Sequence, residues 1–134
     1  MPTEPGVWEP GKPEPTAAPD VARLREFVRI IRATGGEQLT DALSATEIEA
    51  NAPLMRLEAS AWQVADELET AELEELIRFF TLAEMQLPGW DGGKDSPVVS
   101  LVQLLRRRDA FTPELRKWIK ANSDNRFLPY GSAL

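Results

Sequence analysis

The sequence predicts an all-α fold: a single-domain helical bundle of about five to seven helices, with an extended Pro-rich N-terminal arm and a non-helical C-terminal tail. Three observations carry this reading. Apolar residues recur at helical intervals between Val21 and Ile119, residue pairs that open helices stand ahead of those stripes, and no β-alternation of useful length interrupts them. A chain of 134 residues fits one domain and can bury a core without disulfides or metal.

Residues 1–19 hold Pro2, Pro5, Pro10, Pro13, Pro15 and Pro19, a density that forbids helix and removes strand donors. Trp8 within this arm has two readings, docking on a protein surface or riding in a loose tail. The Pro10 to Pro13 spacing fits PxxP, a pattern too common to carry weight.

The helical domain spans residues 20–134. Asp20 is a natural N-cap for a helix whose inward stripe is Val21, Leu24, Val28 and Ile31, widened by Phe27 and Ile30, and Gly35-Gly36 ends it. A short helical piece is expected near residues 38–43. A second opens with the capping box Ser44-Ala45-Thr46-Glu47. Pro53 suits a first helical turn, and Leu54, Leu57, Ala61, Val64 and Leu68 follow in an amphipathic stripe. Leu73, Leu76, Phe80, Ala83 and Leu87 repeat it after a phase change near Thr70. Residues 54–87 are therefore read either as one long helix or as an antiparallel hairpin capped at Thr70, ended by Pro88-Gly89. Ser96-Pro97 and Thr112-Pro113 each read as an N-cap followed by proline at the first helical position. They open helices through Arg108 and to about Asn122, and residues 123–134 form the tail.

Charge divides unevenly. Residues 37–87 carry twelve acids against Arg56 and Arg78, a net of −10, whereas residues 88–134 carry eight bases against five acids, a net of +3. This acidic middle and basic, aromatic end are expected to attract each other within the fold, or to face different partners.

With no cysteine and no histidine, the usual zinc ligands and nucleophile–base pairs are missing. General acid–base chemistry would rest on carboxylates, lysines or the single tyrosine, each needing burial to tune it. The expectation is no enzyme, no metal and no cofactor. No apolar run approaches the roughly 18 residues of a membrane span, and the N-terminus lacks the basic start and apolar stretch of a signal peptide. The expected location is cytoplasmic.

Gly89-Trp90-Asp91-Gly92-Gly93-Lys94-Asp95-Ser96 approaches the phosphate loop GxxxxGK[ST] but departs from it. Its glycines sit one residue too close, Asp95 replaces Ser or Thr, and a helix precedes it. The better reading is a structural turn in which Trp90 pins the loop to the core. Residues 97–122 match helix-turn-helix lengths, with Arg116, Lys117, Lys120 and Asn122 toward a groove and Arg106, Arg107 and Arg108 on phosphates. Glu114 in the first turn of the second helix and the net charge of −7 oppose it.

The functional expectation is a non-catalytic protein-interaction or regulatory module of unknown partner, using a basic and aromatic C-terminal surface. Trp90, Arg106, Arg107, Arg116, Lys117, Lys120, Arg126, Phe127 and Tyr130 are its candidate partner-binding residues, with arginines for carboxylates and aromatics as anchors. The partner is another protein or a second copy of the chain. Nucleic-acid binding through residues 97–122 is the alternative, followed by a carboxylate-dependent enzyme.

Overall fold

The computed structural model describes residues 19–123 and residue 125; the arm through residue 18, with Trp8, and most of the tail lie outside the described residues. Helix α1 (Val21–Thr34) starts where the Asp20 side chain accepts the Arg23 amide at 2.8 Å. It stops where Gly35, at φ 68°, returns its amide to the Ile31 carbonyl. Leu24, Phe27, Val28 and Ile31 form its buried face, as the spacing requires. Helix α2 (Leu39–Ala42) and helix α3 (Ala45–Asn51) follow, the latter opened by the reciprocal Ser44–Glu47 capping box.

The next segment departs from expectation. In place of an α-helix from Pro53, the chain winds as two 3-10 segments, Ala52–Arg56 and Ala59–Glu67, separated by extended backbone at Leu57 and Glu58. The buried positions of the second segment and its C-cap are Trp62, Ala65 and Leu68, which recur every three residues. That is the 3-10 repeat. Leu57, Ala61 and Val64, stripe members at helical spacing, are only half-buried. Residues 54–87 are thus neither one helix nor a helical hairpin, and the second 3-10 segment packs on α1 and on α5 (Pro97–Arg107).

Helix α4 (Thr70–Gln86) begins one residue earlier than a Thr70 cap would place it. Glu69 is the N-cap, in a capping box with Glu72. Leu73, Leu76, Ile77, Phe79, Phe80, Thr81 and Ala83 are all buried on it. A helix covered on so many sides is central, and α4 does pack against α1, α2, α5 and α6 (Pro113–Asn122). Its one buried hydroxyl, Thr81, is satisfied by the Ile77 carbonyl at 2.8 Å. At its end Gln86 reaches back with both side-chain atoms, donating to the Gly36 carbonyl and accepting the Leu39 amide.

Both proline-opened helices start as read. The Ser96 hydroxyl accepts from the Val98 amide and the Thr112 hydroxyl from the Leu115 amide, each at 3.1 Å. No strand occurs among the described residues, and the fold is an all-α bundle around α4. Among those residues no helix is long and apolar enough to cross a membrane.

The acidic middle is answered mainly by α1, through Arg25–Glu72 at 3.0 Å and Arg32–Glu75 at 3.5 Å. The basic end contributes chiefly Arg108, whose guanidinium binds the Asp66 carboxylate at 3.0 Å and the Asp66 carbonyl at 2.8 Å, with Thr70 beside it.

Candidate functional site

Trp90 is fully buried, and this corrects its assignment to a contact surface. Its ring packs edge-on to Phe27 and Phe79 and tilted against Phe80, and its indole N–H donates to the Ile48 carbonyl at 2.8 Å. No partner can reach it. The other reading, a pin for the loop that follows α4, is the one the geometry realises.

That loop is held by a carboxylate the sequence did not single out. Glu84, near the end of α4, accepts hydrogen bonds from the Ser96 hydroxyl, the Gly92 amide and the Asn125 side chain. Burial pushes its carboxyl above the usual carboxylate range, while the three hydrogen bonds pull the other way. Asn125 also donates to the Gly93 carbonyl at 3.0 Å, so Glu84 ties the loop to the start of the tail. The loop's own amides point inward: Asp95 donates to Gly92 and Ser96 to Gly93, around a 3-10 turn at Gly93–Asp95. They are not arranged as an anion cradle.

The structure places five of the predicted residues on its last two helices and brings Arg106 and Arg116 together at one groove. Arg106 and Arg107 end α5, and Arg116, Lys117 and Lys120 lie on α6; all five are exposed. On α6 the exposed positions alternate with Leu115 and Ile119, which are buried, and with half-buried Trp118. Trp118 lies under the Arg78 guanidinium of α4, 5.7 Å from its ring centre, so this tryptophan also faces its own domain. Arg107 reaches Gln63 at 3.4 Å. Among the described residues, Arg106, Arg116, Lys117 and Lys120 form no ion pair, whereas Arg25, Arg29, Arg32, Arg78 and Arg108 all do. Arg126, Phe127 and Tyr130 lie outside the described residues.

Between the two helices the chain makes a tight reversal. Asp109 takes a left-handed conformation at φ 59° and donates its amide to Arg106, while the Ala110 amide bonds the Leu105 carbonyl at 2.8 Å. This is the Schellman arrangement, with aspartate in the position glycine usually fills. The reversal opens an exposed groove of about 400 Å³ lined by Arg106, Asp109, Phe111, Thr112, Pro113 and Arg116. Sequence reasoning missed Phe111 and Asp109 as part of a site. Only the turn itself, which sequence marks weakly, aims them into the same space as the two arginines.

Among the described residues no cluster of carboxylates could hold a metal ion. Compared with known proteins, the chain matches no family model, no curated sequence and no solved structure.

Proposed function

We propose that the chain is a non-catalytic protein-interaction module that takes an acidic partner protein at the α5–α6 corner. The observation that supports this is a run of cations without ion pairs on the last two helices. Arg106, Arg116, Lys117 and Lys120 stand exposed and without an ion pair to any described acid on adjoining helices of a chain whose net charge is −7, whereas Arg23, Arg56 and Lys94, also outside ion pairs, lie on three separate elements. Unpaired surface cations on a rigid frame favour encounter with negative charge and set its orientation. The non-catalytic reading draws support from Glu84. Burial weakens the acidity of this carboxylate, yet its oxygens are engaged by Ser96, Gly92 and Asn125. A cytoplasmic setting belongs to the same proposal and rests on the cysteine-free composition, which asks for no oxidising compartment.

The test is affinity capture from cell lysate with the intact chain and with a variant carrying Arg116→Ala, Lys117→Ala and Lys120→Ala. Loss of one or more captured proteins is expected, and identical partner sets would sink the proposal. Nucleic-acid binding is the second reading, favoured by the helix pair at Pro97–Arg107 and Pro113–Asn122. Exposed Glu114 and the commitment of Arg108 to Asp66 weigh against it. A duplex DNA retardation at low salt that weakens steeply as salt rises would move the assignment there.

A further inference from the structure

We infer that the groove between α5 and α6 is a carboxylate-binding site for an acidic peptide segment that carries an apolar side chain beside its Asp or Glu. This inference rests on the proposed interaction role and gives that surface a specific occupant.

The walls are fixed by the backbone. Arg106 sits in the last turn of α5, and the Asp109 and Ala110 amides lock the reversal onto Arg106 and Leu105 at 3.0 and 2.8 Å. Pro113 sets the entry into α6, Thr112 caps it at the Leu115 amide, and Arg116 follows, its own amide bonded to the Thr112 carbonyl. Two guanidinium groups thereby line one groove from different helices. Neither is ion-paired, with Asp109 or with any other described acid.

Guanidinium is the side chain best matched to a planar oxyanion, because it offers parallel N–H donors in a rigid fork. Two features favour a carboxylate over a phosphate. Asp109 stands on the rim, and its charge opposes a doubly charged phosphate more strongly than a singly charged carboxylate. Phe111 and Pro113 add an apolar wall. Phe111 is only half-buried against the core, so its remaining surface is open to a neighbouring apolar side chain. A volume of about 400 Å³ suits one or two side chains.

The experiment is fluorescence anisotropy with the full chain and a short labelled peptide of alternating glutamate and leucine. Arg106→Ala and Arg116→Ala should each weaken binding by roughly tenfold or more, the scale of a lost charge-assisted hydrogen bond. Lys117→Ala and Lys120→Ala, which lie off the groove, should cost about twofold or less. Asp109→Asn, which keeps a residue tolerant of the left-handed turn, should tighten binding severalfold; unfolding cannot produce a gain. Replacing leucine by serine in the peptide should weaken it.

Equal losses from the lysine and arginine variants would overturn the groove while leaving a diffuse basic interaction surface intact. So would equal affinity for the serine peptide. Preference for a phosphoserine peptide or for duplex DNA would overturn it in favour of that ligand. Self-association that rises with concentration and vanishes in Arg116→Ala would assign the groove to a second copy. If no peptide binds while lysate capture still depends on the basic corner, the groove inference fails and the interaction reading survives. Unchanged lysate capture removes the interaction reading itself.

Discussion

Around Trp90 the rings of Phe27, Phe79 and Phe80 close in, and the indole N–H has its acceptor in Ile48; on the last two helices four cations face outward and the backbone between them turns through a left-handed aspartate. Trp90 and the four cations come from the same basic, aromatic third of the chain. Their difference teaches that residue type alone does not separate a core from an interface. Tryptophan and arginine are enriched at interfaces because they bury much surface and bond well, and those properties serve a core equally. Position on the frame decides. Trp90 follows the central helix and falls inward, whereas Arg106, Arg116, Lys117 and Lys120 occupy the outer faces of helices whose inner faces already pack on the bundle.

The largest expected effect breaks the first region. Trp90→Ala should destabilise the chain by about 3–5 kcal/mol in urea unfolding, the scale for emptying a large buried aromatic site. It also removes the indole hydrogen bond to the Ile48 carbonyl, which keeps the Ala52 amide. Peptide binding at the corner should persist wherever the variant remains folded. A loss below about 1 kcal/mol would mean that Trp90 is not the buried pin described above.

Gly92→Ala comes next, at about 1–3 kcal/mol for forced overpacking. A Cβ there would lie 2.8 Å from the Ser96 Cα and 3.0 Å from the Met55 carbonyl oxygen, both backbone atoms that cannot swing aside. Gly92 has an ordinary φ of −86°, so the cost isolates space from backbone strain. An unchanged denaturation midpoint would show that the loop between α4 and α5 yields freely.

How much of these two regions the sequence discloses depends on the kind of signal. Helix starts are legible because capping is local: Asp20, Ser44, Ser96 and Thr112 each bond an amide two or three residues on, within reach of the chain's own neighbourhood. The stripe from Leu54 to Leu68 misleads because helical and 3-10 repeats differ by little over so short a run, and packing on α1 and α5 chooses between them. Glu84 is illegible for another reason. Its burial is made by Gly92, Ser96 and Asn125, brought over it only once the loop folds back. The basic corner was readable as charge, but the groove was not. That needs the reversal at Asp109, a left-handed position that sequence marks with glycine and here does not.

Asp109→Gly sharpens the comparison from the other side. Glycine at this position removes roughly 1 kcal/mol of left-handed strain, partly offset by the greater freedom glycine has when unfolded. The net gain should be on the order of 0.5 kcal/mol, read as a small rise in the denaturation midpoint. A loss of stability would mean that the Asp109 side chain supports the turn. Trp90 offers no such gain, since its indole N–H already has its acceptor.

The smallest effect is visible only as a slope with pH, and two glutamates give it opposite signs. Burial holds the folded Glu84 carboxyl above its ordinary 4.5, so the folded state binds that proton more tightly than the unfolded chain does. Its contribution therefore favours folding at low pH and is lost as pH rises from about 4.5 through the folded value. Glu72 runs the other way. The Arg25 guanidinium, with the Glu69 amide, holds it below 4.5, so its contribution is present above that value and lost as pH falls through the folded one. Exposure of this ion pair makes the second slope shallow and salt-sensitive. In denaturation midpoints followed against pH, Glu84→Gln should remove the decline above 4.5, and Glu72→Gln the decline below it. A Glu84→Gln profile parallel to the parent above 4.5 would show that the folded-back loop leaves this carboxyl in water. Glu84 would then belong with the exposed corner and not with the packed centre.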